Sequence, residues 1–317
     1  MARILVIGSA NQDINLRVAR FPSPGETVIA LDRWSVLGGK GANQAMAAAR
    51  LGADVALIAR VGRDYAGNVM MSSLQDAGIN IEGVETDPDR PTGTADILVD
   101  AAGENTIVAD PGANRGLDTA QIDRHESLFQ QAEICVLQCE IPLETVAYAV
   151  RMGKKHHVRI LLNPSPAVPL DSRTLSGIEY LVPNEHELVR LHAGKEPADG
   201  AWTPERLRQL AERSVLDGAE NVLVTLGAEG CILIHAGGMR RYPARKVESV
   251  DTTGAGDTFL GAFAAALTAR MEVDRAIRYA AAAASITVSR QGTWAAMPDA
   301  AEMRAAFDGQ PAMWYDQ

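Results

Sequence analysis

Residues Asp251–Phe263 read DTTGAGDTFLGAF, in which a glycine-bearing turn opens directly into an apolar run. Gly254 and Gly256 lie in the turn, and small and apolar residues continue from Phe259 to Leu267. A helix that begins after such a turn directs several free backbone N–H groups, and the positive end of the helix dipole, at one point. Phosphate is the anion most often bound in such a place. The segment therefore predicts a phosphate site at the start of a helix.

Asp257 is the exception in this turn, because a negative charge beside a phosphate site repels the ligand. A carboxylate in a first helical turn can simply interact with the helix dipole, which is the structural alternative. A carboxylate that takes a proton from an attacking hydroxyl explains the position next to phosphate better. We therefore predict that Asp257 is a general base and that the reaction is phosphoryl transfer to an alcohol.

The length and composition indicate a protein with a large buried core. The chain has 317 residues, of which 47% are hydrophobic, and its mean hydropathy is -0.05. This length exceeds that of a usual domain, so we expect one large α/β domain over residues 1–317 that includes a small lobe.

The charge, the cysteines and the N-terminus disfavour several classes of partner. The formal net charge of -10 and the pI near 5.1 argue against nucleic acid. The 3 cysteines form no CxxC pair, which argues against a disulfide framework or a zinc site. No apolar run reaches membrane-spanning length, and the opening MARILVIGSAN has no signal-peptide pattern. We expect a cytoplasmic protein with no membrane partner.

Short apolar runs alternate with helical patterns along the chain, which is typical of a mostly parallel sheet. The predicted strands of this sheet cover residues 4–7, 55–61, 134–137, 159–162, 180–182 and 221–225. Because ligands of open α/β sheets bind at the carboxyl ends of the strands, polar residues there are candidate contacts. Asn11, Asp13 and Glu140 follow strands in this way. Ordinary turn chemistry for the first two, and helix capping for Glu140, are the alternatives.

A second glycine-rich turn precedes another predicted helix. Residues 38–52 read GGKGANQAMAAARLG, where the alanine-rich part favours a helix that ends at Gly52. Lys40 is followed by Gly41 rather than by Ser or Thr, which argues against a Walker A loop. The first strand is not followed by GxGxxG, which argues against a dinucleotide site. We interpret Lys40 and Asn43 as hydrogen-bonding groups for a polyol, with a purely structural turn as the alternative.

Residues 92–99 and 106–109 have β patterns and are joined by a turn, which predicts a hairpin. The hairpin interrupts the alternation of strands and helices. We therefore assign parts of about 10–36 and 92–110 to a small β-sheet lobe. Asp96 shares one face of this hairpin with Thr94 and Leu98, and we expect its carboxylate to be exposed or paired.

Two later turns carry candidate nucleotide contacts. Asn184 and Glu187 lie on one side of a starting helix, where they can hold Mg²⁺ through water near phosphates. The same spacing is that of a capping box, which is the alternative. Residues 226–230 read LGAEG, a turn that allows close approach by a flat ligand.

Taken together, these segments resemble the ribokinase family of carbohydrate kinases. The resemblance runs from Ile4 to about Pro298. It is carried by GSANQD (8–13), PSPGET (22–27), GGKGANQAMAAARLG (38–52), PGAN (111–114), LQCEIPLE (137–144), LNPSPA (162–167), PNEHE (183–187), VTLGAEG (224–230) and VDTTGAGDTFLGAF (250–263).

The resemblance implies a three-layer α/β/α core with a mostly parallel central sheet and a small β-sheet lid. It also implies ATP-dependent phosphorylation of the 5-hydroxyl of D-ribose, or of another pentose, a deoxypentose or a nucleoside. Asp257 would be the base, and Gly254, Ala255 and Gly256 would bind the migrating phosphoryl group. The sugar would be held by Asn11, Asp13, Gly39, Lys40, Asn43, Glu140 and Asp257.

The same resemblance implies sites for ATP and for two cations. Glu187 would hold Mg²⁺ through water. The nucleotide would be contacted by Asn184, Thr225, Leu226, Gly227, Ala228, Glu229, Gly230, Gly256 and Ala281. A monovalent cation, K⁺, would be held by Asp251, Thr253, Thr287, Arg290, Gly292 and Ala296. The lid would pair with a second subunit in a homodimer.

The chain departs from the family pattern at several positions. The catalytic turn begins Gly254-Ala255 where many members have Ala-Ala, and Asp96 stands where an apolar lid residue is usual. Asp110-Pro111 replaces a different pair before Gly112, and Trp294 is bulky for the loop of the monovalent cation. These departures remove no chemical group that catalysis needs, but they leave the sugar and the K⁺ dependence open.

Overall fold

A computed structural model describes residues 3–193 and 203–308 of the chain. The strands within these residues are β1 Ile4–Ile7, β2 Asn11–Arg17, β3 Asp32–Gly38, β4 Val55–Gly62, β5 Asn80–Asp87, β6 Gly93–Val99, β7 Asn105–Asp110, β8 Ile134–Gln138, β9 Arg159–Asn163, β10 Tyr180–Leu181, β11 Asn221–Thr225, β12 Cys231–His235 and β13 Gly238–Tyr242. The strands predicted for the main sheet agree with β1, β4, β8, β9, β10 and β11 to within one residue at each end.

Helices connect most of these strands, and several begin at a side-chain cap. Asp64, for example, accepts a hydrogen bond from the Gly67 N–H and starts α2. The α-helices are α1 Lys40–Arg50, α2 Tyr65–Asp76, α3 Thr119–Arg124, α4 Glu126–Gln131, α5 Leu143–His156, α6 Ser172–Leu175, α7 Glu185–Ala193, α8 Pro204–Leu216, α9 Ala255–Thr268, α10 Val273–Val288 and α11 Ala300–Met303. None of the helices described combines the length and the apolar composition that a membrane crossing requires.

The main sheet has the strand order β13-β12-β11-β10-β9-β8-β1-β4-β5. Within this sheet the neighbouring strands from β11 to β5 pair in parallel, and the described antiparallel pairs, β11–β12 and β12–β13, lie at one edge. This confirms the predicted α/β fold with a mostly parallel central sheet. The carboxyl ends of the parallel strands lie along one edge, so residues that follow β1, β8, β9 and β10 can meet there.

Helices cover both faces of the main sheet and form the predicted three layers. Ile4 and Val6 of β1 pack in a core with residues of α1, α2, α9 and α10. Leu5 and Ile7 point to the other face and pack with residues of α3, α4, α5, α7 and α8. The near-continuous apolar strands follow from this burial on both faces.

The predicted small second sheet is also present, with the strand order β3-β2-β6-β7. Asp13 lies beside Ala95 and Val36 on one face of this sheet. Asp96, beside Ile14, lies on the opposite face and is half-buried. Every residue of β7 is exposed, so this sheet buries much less of its surface than the main sheet does.

Helix α9 is buried from Asp257 to Thr268 and packs closely on α1. Gly261 makes this approach possible, because a Cβ atom at this position would lie 2.6 Å from the Gln44 carbonyl oxygen and 2.7 Å from the Ala47 Cβ. The short distance between the helices brings the first turn of α9 beside Asn43 and Gln44 of α1, where the candidate active site lies.

Candidate active site

Asp257 lies in the first turn of α9, and its side chain is held at both carboxylate oxygens. Gln44 Nε2 donates to Oδ1 at 2.9 Å, and Asn43 Nδ2 donates to Oδ2 at 2.9 Å. The residue is only 7% exposed. Charged side chains are rarely buried without hydrogen-bond partners, so the two amides keep this carboxylate in place.

The two amides are in turn held by side chains from distant parts of the chain. Trp294 Nε1 donates to Asn43 Oδ1 at 2.8 Å, and Gln138 Nε2 donates to Gln44 Oε1 at 2.6 Å. Sequence reasoning missed Gln44 and Gln138. The available signal for both residues was their position, because Gln44 adjoins Asn43 and Gln138 stands two residues before Glu140. The direction of their side chains toward Asp257 depends on helix packing, which the sequence does not show.

The turn before Asp257 places backbone N–H groups as predicted for an anion site, but not all of them are free. Gly254 begins α9 with a left-handed φ of 74°. The Ala255 N–H donates to the Thr252 carbonyl at 3.2 Å. The Gly254 and Gly256 N–H groups have no acceptor among the residues that the structure describes. Two of the three predicted donors are therefore open to an anion.

A cavity of about 220 Å³, here called the inner cavity, adjoins this turn. It is lined by Lys40, Asn163, Val182, Asn184, Glu187, Thr225, Thr252, Gly254, Gly256, Asp257 and Leu260. Asn184 and Glu187 form the reciprocal bonds of a capping box: the Asn184 N–H donates to Glu187 Oε2, and the Glu187 N–H donates to Asn184 Oδ1. The capping alternative therefore holds, and it fixes both side chains at the wall of the cavity.

A larger cavity of about 530 Å³, here called the outer cavity, lies between the main sheet and the second sheet. Its wall includes Asn11, Lys40, Thr94, Ala109, Asp110, Pro111, Asn114, Arg115, Cys139, Glu140, Ile141, Pro142, Leu143, Ser165 and Pro166. Asn114 Nδ2 donates to Asn11 Oδ1 at 2.7 Å, and Ser9 Oγ donates to Glu140 Oε2 at 2.5 Å. Ser9 and Asn114 lie within the quoted motifs, but sequence reasoning gave neither a role.

Lys40 lines both cavities and is surrounded by carboxylates. Burial lowers the pKa of its ammonium group, but the charges of Asp257, Glu140, Glu187 and Asp13 outweigh burial and raise this pKa. Burial, followed by repulsion from Glu140 and Asp257, raises the pKa of Asp13 to about 6, against the attraction of Lys40. Lys40 therefore stays charged, and the carboxylates outnumber the cation around it.

Gly39 allows the start of α1 to approach the segment after β1. Its φ is 86°, and a Cβ atom here would lie 2.7 Å from the Asn11 backbone nitrogen. The same approach brings the Lys40 N–H to Glu140 Oε2 at 3.2 Å. The structure thus brings together Asn11, Asp13, Gly39, Lys40, Asn43 and Glu140, the residues predicted to bind a polyol.

The residues predicted to contact the nucleotide are less tightly grouped. Thr225 at the end of β11 lines the inner cavity beside Asn184, with which it forms a β-bridge. Leu226 and Gly230 close the following turn, and Gly227, Ala228 and Glu229 form a 3₁₀ turn between them. Ala281 is half-buried on α10. Neither the 226–230 turn nor Ala281 lines the two cavities described.

The residues predicted to hold a monovalent cation come from two adjoining segments. Asp251 joins these segments, because its carboxylate accepts the Thr253 N–H at 2.9 Å and the Gly292 N–H at 3.0 Å. The Thr287 hydroxyl lies 3.2 Å from the Thr258 hydroxyl and 3.1 Å from the Ala283 carbonyl, inside the helix pair. The Arg290 guanidinium pairs with Glu302 at 2.6 Å, and Ala296 is fully buried. Thr287, Arg290 and Ala296 could therefore reach a cation only through backbone carbonyls.

Two cavities share one lysine, Lys40, and the inner one also contains a buried carboxylate beside an open N–H turn. This arrangement fits a phosphotransferase that acts on a polyol. Residues 1–300 match the pfkB family of carbohydrate kinases. The chain belongs to this family, which confirms the resemblance predicted from the sequence and the prediction of a sugar kinase.

Individual relatives agree with this assignment. The chain is 39% identical to a ribokinase of Schizosaccharomyces pombe over 316 residues, 97% of this chain and 98% of the relative. It is 37% identical to a deoxyribokinase of Salmonella typhimurium over 296 residues, 93% of this chain and 95% of the relative. The structure of Arabidopsis thaliana ribokinase complexed with ribose and ATP superposes with a TM-score of 0.88 at 34% identity, covering 96% of this chain and 98% of that one.

Proposed function

We propose that the protein transfers the γ-phosphoryl group of ATP to the 5-hydroxyl of D-ribose, giving D-ribose 5-phosphate and ADP. One observation carries the proposal: a buried carboxylate, Asp257, lines the inner cavity together with Lys40, and Lys40 also lines the outer cavity. The ribokinase relatives, and the ribose and ATP named in the Arabidopsis complex, support the identity of the two substrates.

Asp257 acts as the base in this reaction. Each of its oxygens accepts one amide hydrogen bond, which leaves a further acceptor position for the sugar hydroxyl. The carboxylate takes the hydroxyl proton while the oxygen attacks the γ-phosphorus, and the bond from phosphorus to ADP breaks. The open N–H groups of Gly254 and Gly256 and the Lys40 ammonium stabilise the charge of the migrating group.

The outer cavity holds the sugar. Asn11, Lys40 and Glu140 in its wall provide acceptors and donors for the sugar hydroxyls. Asp13, whose carboxylate interacts with the charges of Glu140 and Lys40, adds a further acceptor, and Gly39 keeps the backbone close to the sugar. Asn43 has a second amide hydrogen beyond the one given to Asp257, so this residue can serve base and sugar together. The second sheet then covers the sugar as a lid.

ATP occupies the inner cavity with its phosphates and extends past Thr225 toward the 226–230 turn and Ala281. Asn163, Asn184 and Glu187 present oxygen atoms at the wall of this cavity, and Mg²⁺ prefers oxygen ligands and retained water. The residues therefore fit a Mg²⁺ ion bound through water, mainly by Glu187. Bound there, the ion would neutralise phosphate charge.

K⁺ fits the segments joined by Asp251, because carbonyl and carboxylate oxygens are suitable ligands for a hard cation. Such an ion would order the turn without touching the sugar. We expect slow turnover in buffer free of sodium and potassium, and recovery when K⁺ is added. Equal rates with and without K⁺ would contradict this part of the proposal.

A deoxypentose is the second candidate substrate, because a deoxyribokinase is nearly as similar to this chain as the ribokinases are. A panel of D-ribose, 2-deoxy-D-ribose, other pentoses and nucleosides decides between them when ADP release is measured with ATP and Mg²⁺. A site that hydrogen-bonds a hydroxyl discriminates strongly against an analogue that lacks it. We expect the highest kcat/KM for D-ribose, with the phosphate on O5 by ³¹P NMR; equal values across the panel would leave only the family assignment.

The proposed assembly is a homodimer that forms through the second sheet, in the cytoplasm. The exposed apolar side chains Ile107 and Val108 of β7, which are 54% and 63% accessible, support a contact on this sheet. Sedimentation of the purified protein over a range of concentrations tests the dimer.

A further inference from the structure

The loop after α10 contacts the site through three consecutive residues. The Gly292 N–H donates to Asp251 Oδ2 at 3.0 Å. Thr293 packs against the catalytic turn, since a Cβ atom on Gly254 would lie 2.8 Å from its methyl group. Trp294 donates from its indole Nε1 to Asn43 Oδ1 at 2.8 Å. The loop therefore touches the residues that surround Asp257 at three points.

The hydrogen bonds around Asp257 all point toward its carboxylate. Trp294 donates to Asn43, which donates to Asp257, and Gln138 donates to Gln44, which donates to Asp257 from the other side. The two outer donors of this hydrogen-bond network, Trp294 and Gln138, differ in one respect. An indole N–H can only donate, whereas a glutamine amide can turn over and exchange its donor for its acceptor.

We propose that Trp294 is a positioning residue for phosphoryl transfer: its indole N–H fixes the amide of Asn43, and through that amide the plane of the Asp257 carboxylate. In the free enzyme the carboxylate is held by Asn43 and Gln44 alone among the described residues. Because Trp294 cannot accept a hydrogen bond, Asn43 must keep its oxygen toward the indole and its NH₂ toward the base. When Asp257 takes the proton, the Asn43 amide stays in this orientation.

This role rests on the proposed function of Asp257 as the base, and it predicts a particular division of the kinetic effect. Trp294 touches Asn43 rather than the reacting atoms, so its loss disturbs the orientation of the base and, among the sugar contacts, only the one made by Asn43. We expect Trp294→Phe, which keeps a ring but removes the N–H, to lower kcat about tenfold, the size of one neutral hydrogen bond. The KM values for sugar and ATP change much less.

Trp294→Gln is the matched variant, because it loses the ring but keeps an N–H donor of similar reach. If the hydrogen bond matters, Trp294→Gln retains more of kcat than Trp294→Phe does. If Trp294 only fills space, the order is reversed, because Phe replaces more of the lost packing than Gln. Melting temperatures of both variants identify any effect that comes from loss of folding.

A double-mutant cycle with Asn43→Ala tests whether Trp294 acts through Asn43. We expect Trp294→Phe to cost little further kcat when Asn43 is already Ala. An equal loss in both backgrounds, or a reversed order of the Phe and Gln variants, would overturn the inference. Failure of the proposed function is distinguishable, because it would show as poor ribose turnover by the unmodified enzyme.

Discussion

The α1–α9 helix pair and the second sheet contribute to the same site by different physical means. Asp257 is fixed before any ligand binds, since it is buried in a packed helix interface and two amides hold its oxygens. Asp13 lies on the second sheet, of which the strand β7 is exposed throughout. On the proposed function, the core would supply a preorganised base, whereas the second sheet would supply sugar contacts that depend on charge and on covering the ligand.

The largest expected effect concerns Asp257, the buried carboxylate of the α1–α9 helix pair. Asp257→Asn keeps the size of the side chain but cannot take the proton, and removal of a general base costs on the order of 10²- to 10⁴-fold in rate. We expect kcat to fall by this factor while the dissociation constant of the sugar changes little. Steady-state kinetics with D-ribose, together with calorimetric sugar binding, provide the measurement.

The alternative role of Asp257 gives a different result on the same preparation. If the carboxylate serves only the helix dipole, Asn costs roughly 0.3–1 kcal/mol of stability and leaves turnover nearly intact. The melting temperature of the variant separates the two. Near-normal turnover in a folded Asp257→Asn protein would falsify the assignment of the base.

The second prediction concerns Asp13 on the second sheet, whose pKa is raised to about 6. If Asp13 binds the sugar as proposed, its carboxylate is ionised above pH 6 and accepts hydrogen bonds from sugar hydroxyls. Below pH 6 the protonated group loses this charge. We therefore expect the KM for ribose to rise as the pH falls from 7.5 through 6, by up to tenfold per pH unit for a single protonation. In Asp13→Asn this rise should be absent, and a flat KM in the unmodified enzyme would contradict the role of Asp13.

The raised pKa of Asp13 also makes the free energy of unfolding depend on pH. The folded pKa of about 6 lies above the value near 3.9 of an unfolded Asp. The folded state therefore binds the proton more tightly, and the contribution of Asp13 to the free energy of unfolding decreases as the pH rises from about 4 to 6. Asp87 behaves in the opposite way. Burial raises its pKa, but hydrogen bonds from the Asp89 and Arg90 backbone and the nearby arginines outweigh burial and lower it to about 2.

The sequence predicted the fold well because the signals for the main sheet are local. The strands are short apolar runs, and burial on both faces makes each run nearly continuous, as in β1 and β4. The glycine turn at Gly254 and the start of α9 were also visible as a change of pattern over a few residues. Such features need no knowledge of distant contacts.

The side chains that hold the site residues in place could not be predicted from local sequence patterns in the same way. Gln44 and Gln138 have no distinctive sequence pattern. They support Asp257 only because the fold brings them into hydrogen-bond contact across 94 residues of sequence. Trp294 looked bulky for its loop, but its bond to Asn43 spans 251 residues. Ser9, which donates to Glu140, is another case. The direction of each of these side chains is set by packing rather than by periodicity.

The third prediction tests the rigidity of the α1–α9 interface. A methyl group on Gly261 would overlap Gln44 and Ala47 of α1, so Gly261→Ala forces the helices apart. Overpacking of this kind costs about 1–3 kcal/mol. We expect a lower free energy of unfolding in urea and a reduced kcat, because Gln44 moves with α1 and holds Asp257. For stability alone, Gly256→Ala is the matched control for the loss of glycine, since a Cβ atom there meets no atom within 4 Å. An unchanged stability of Gly261→Ala would show that the interface yields easily.

The smallest expected effect concerns the exposed side, at Val108 of β7. Its side chain is 63% accessible, whereas Val224 of β11 is fully buried in the main sheet. Substitutions of exposed residues usually change stability by less than about 0.5 kcal/mol, and loss of a buried side chain costs several times more. Val108→Ser should therefore leave the free energy of unfolding almost unchanged in dilute solution, while Val224→Ser lowers this free energy clearly.

If the second sheet pairs with another subunit, Val108→Ser also weakens dimerisation, which sedimentation at several concentrations detects. A large loss of stability in Val108→Ser that does not depend on protein concentration would contradict the contrast between the two sheets, because the side chain would then be supporting the fold of its own chain.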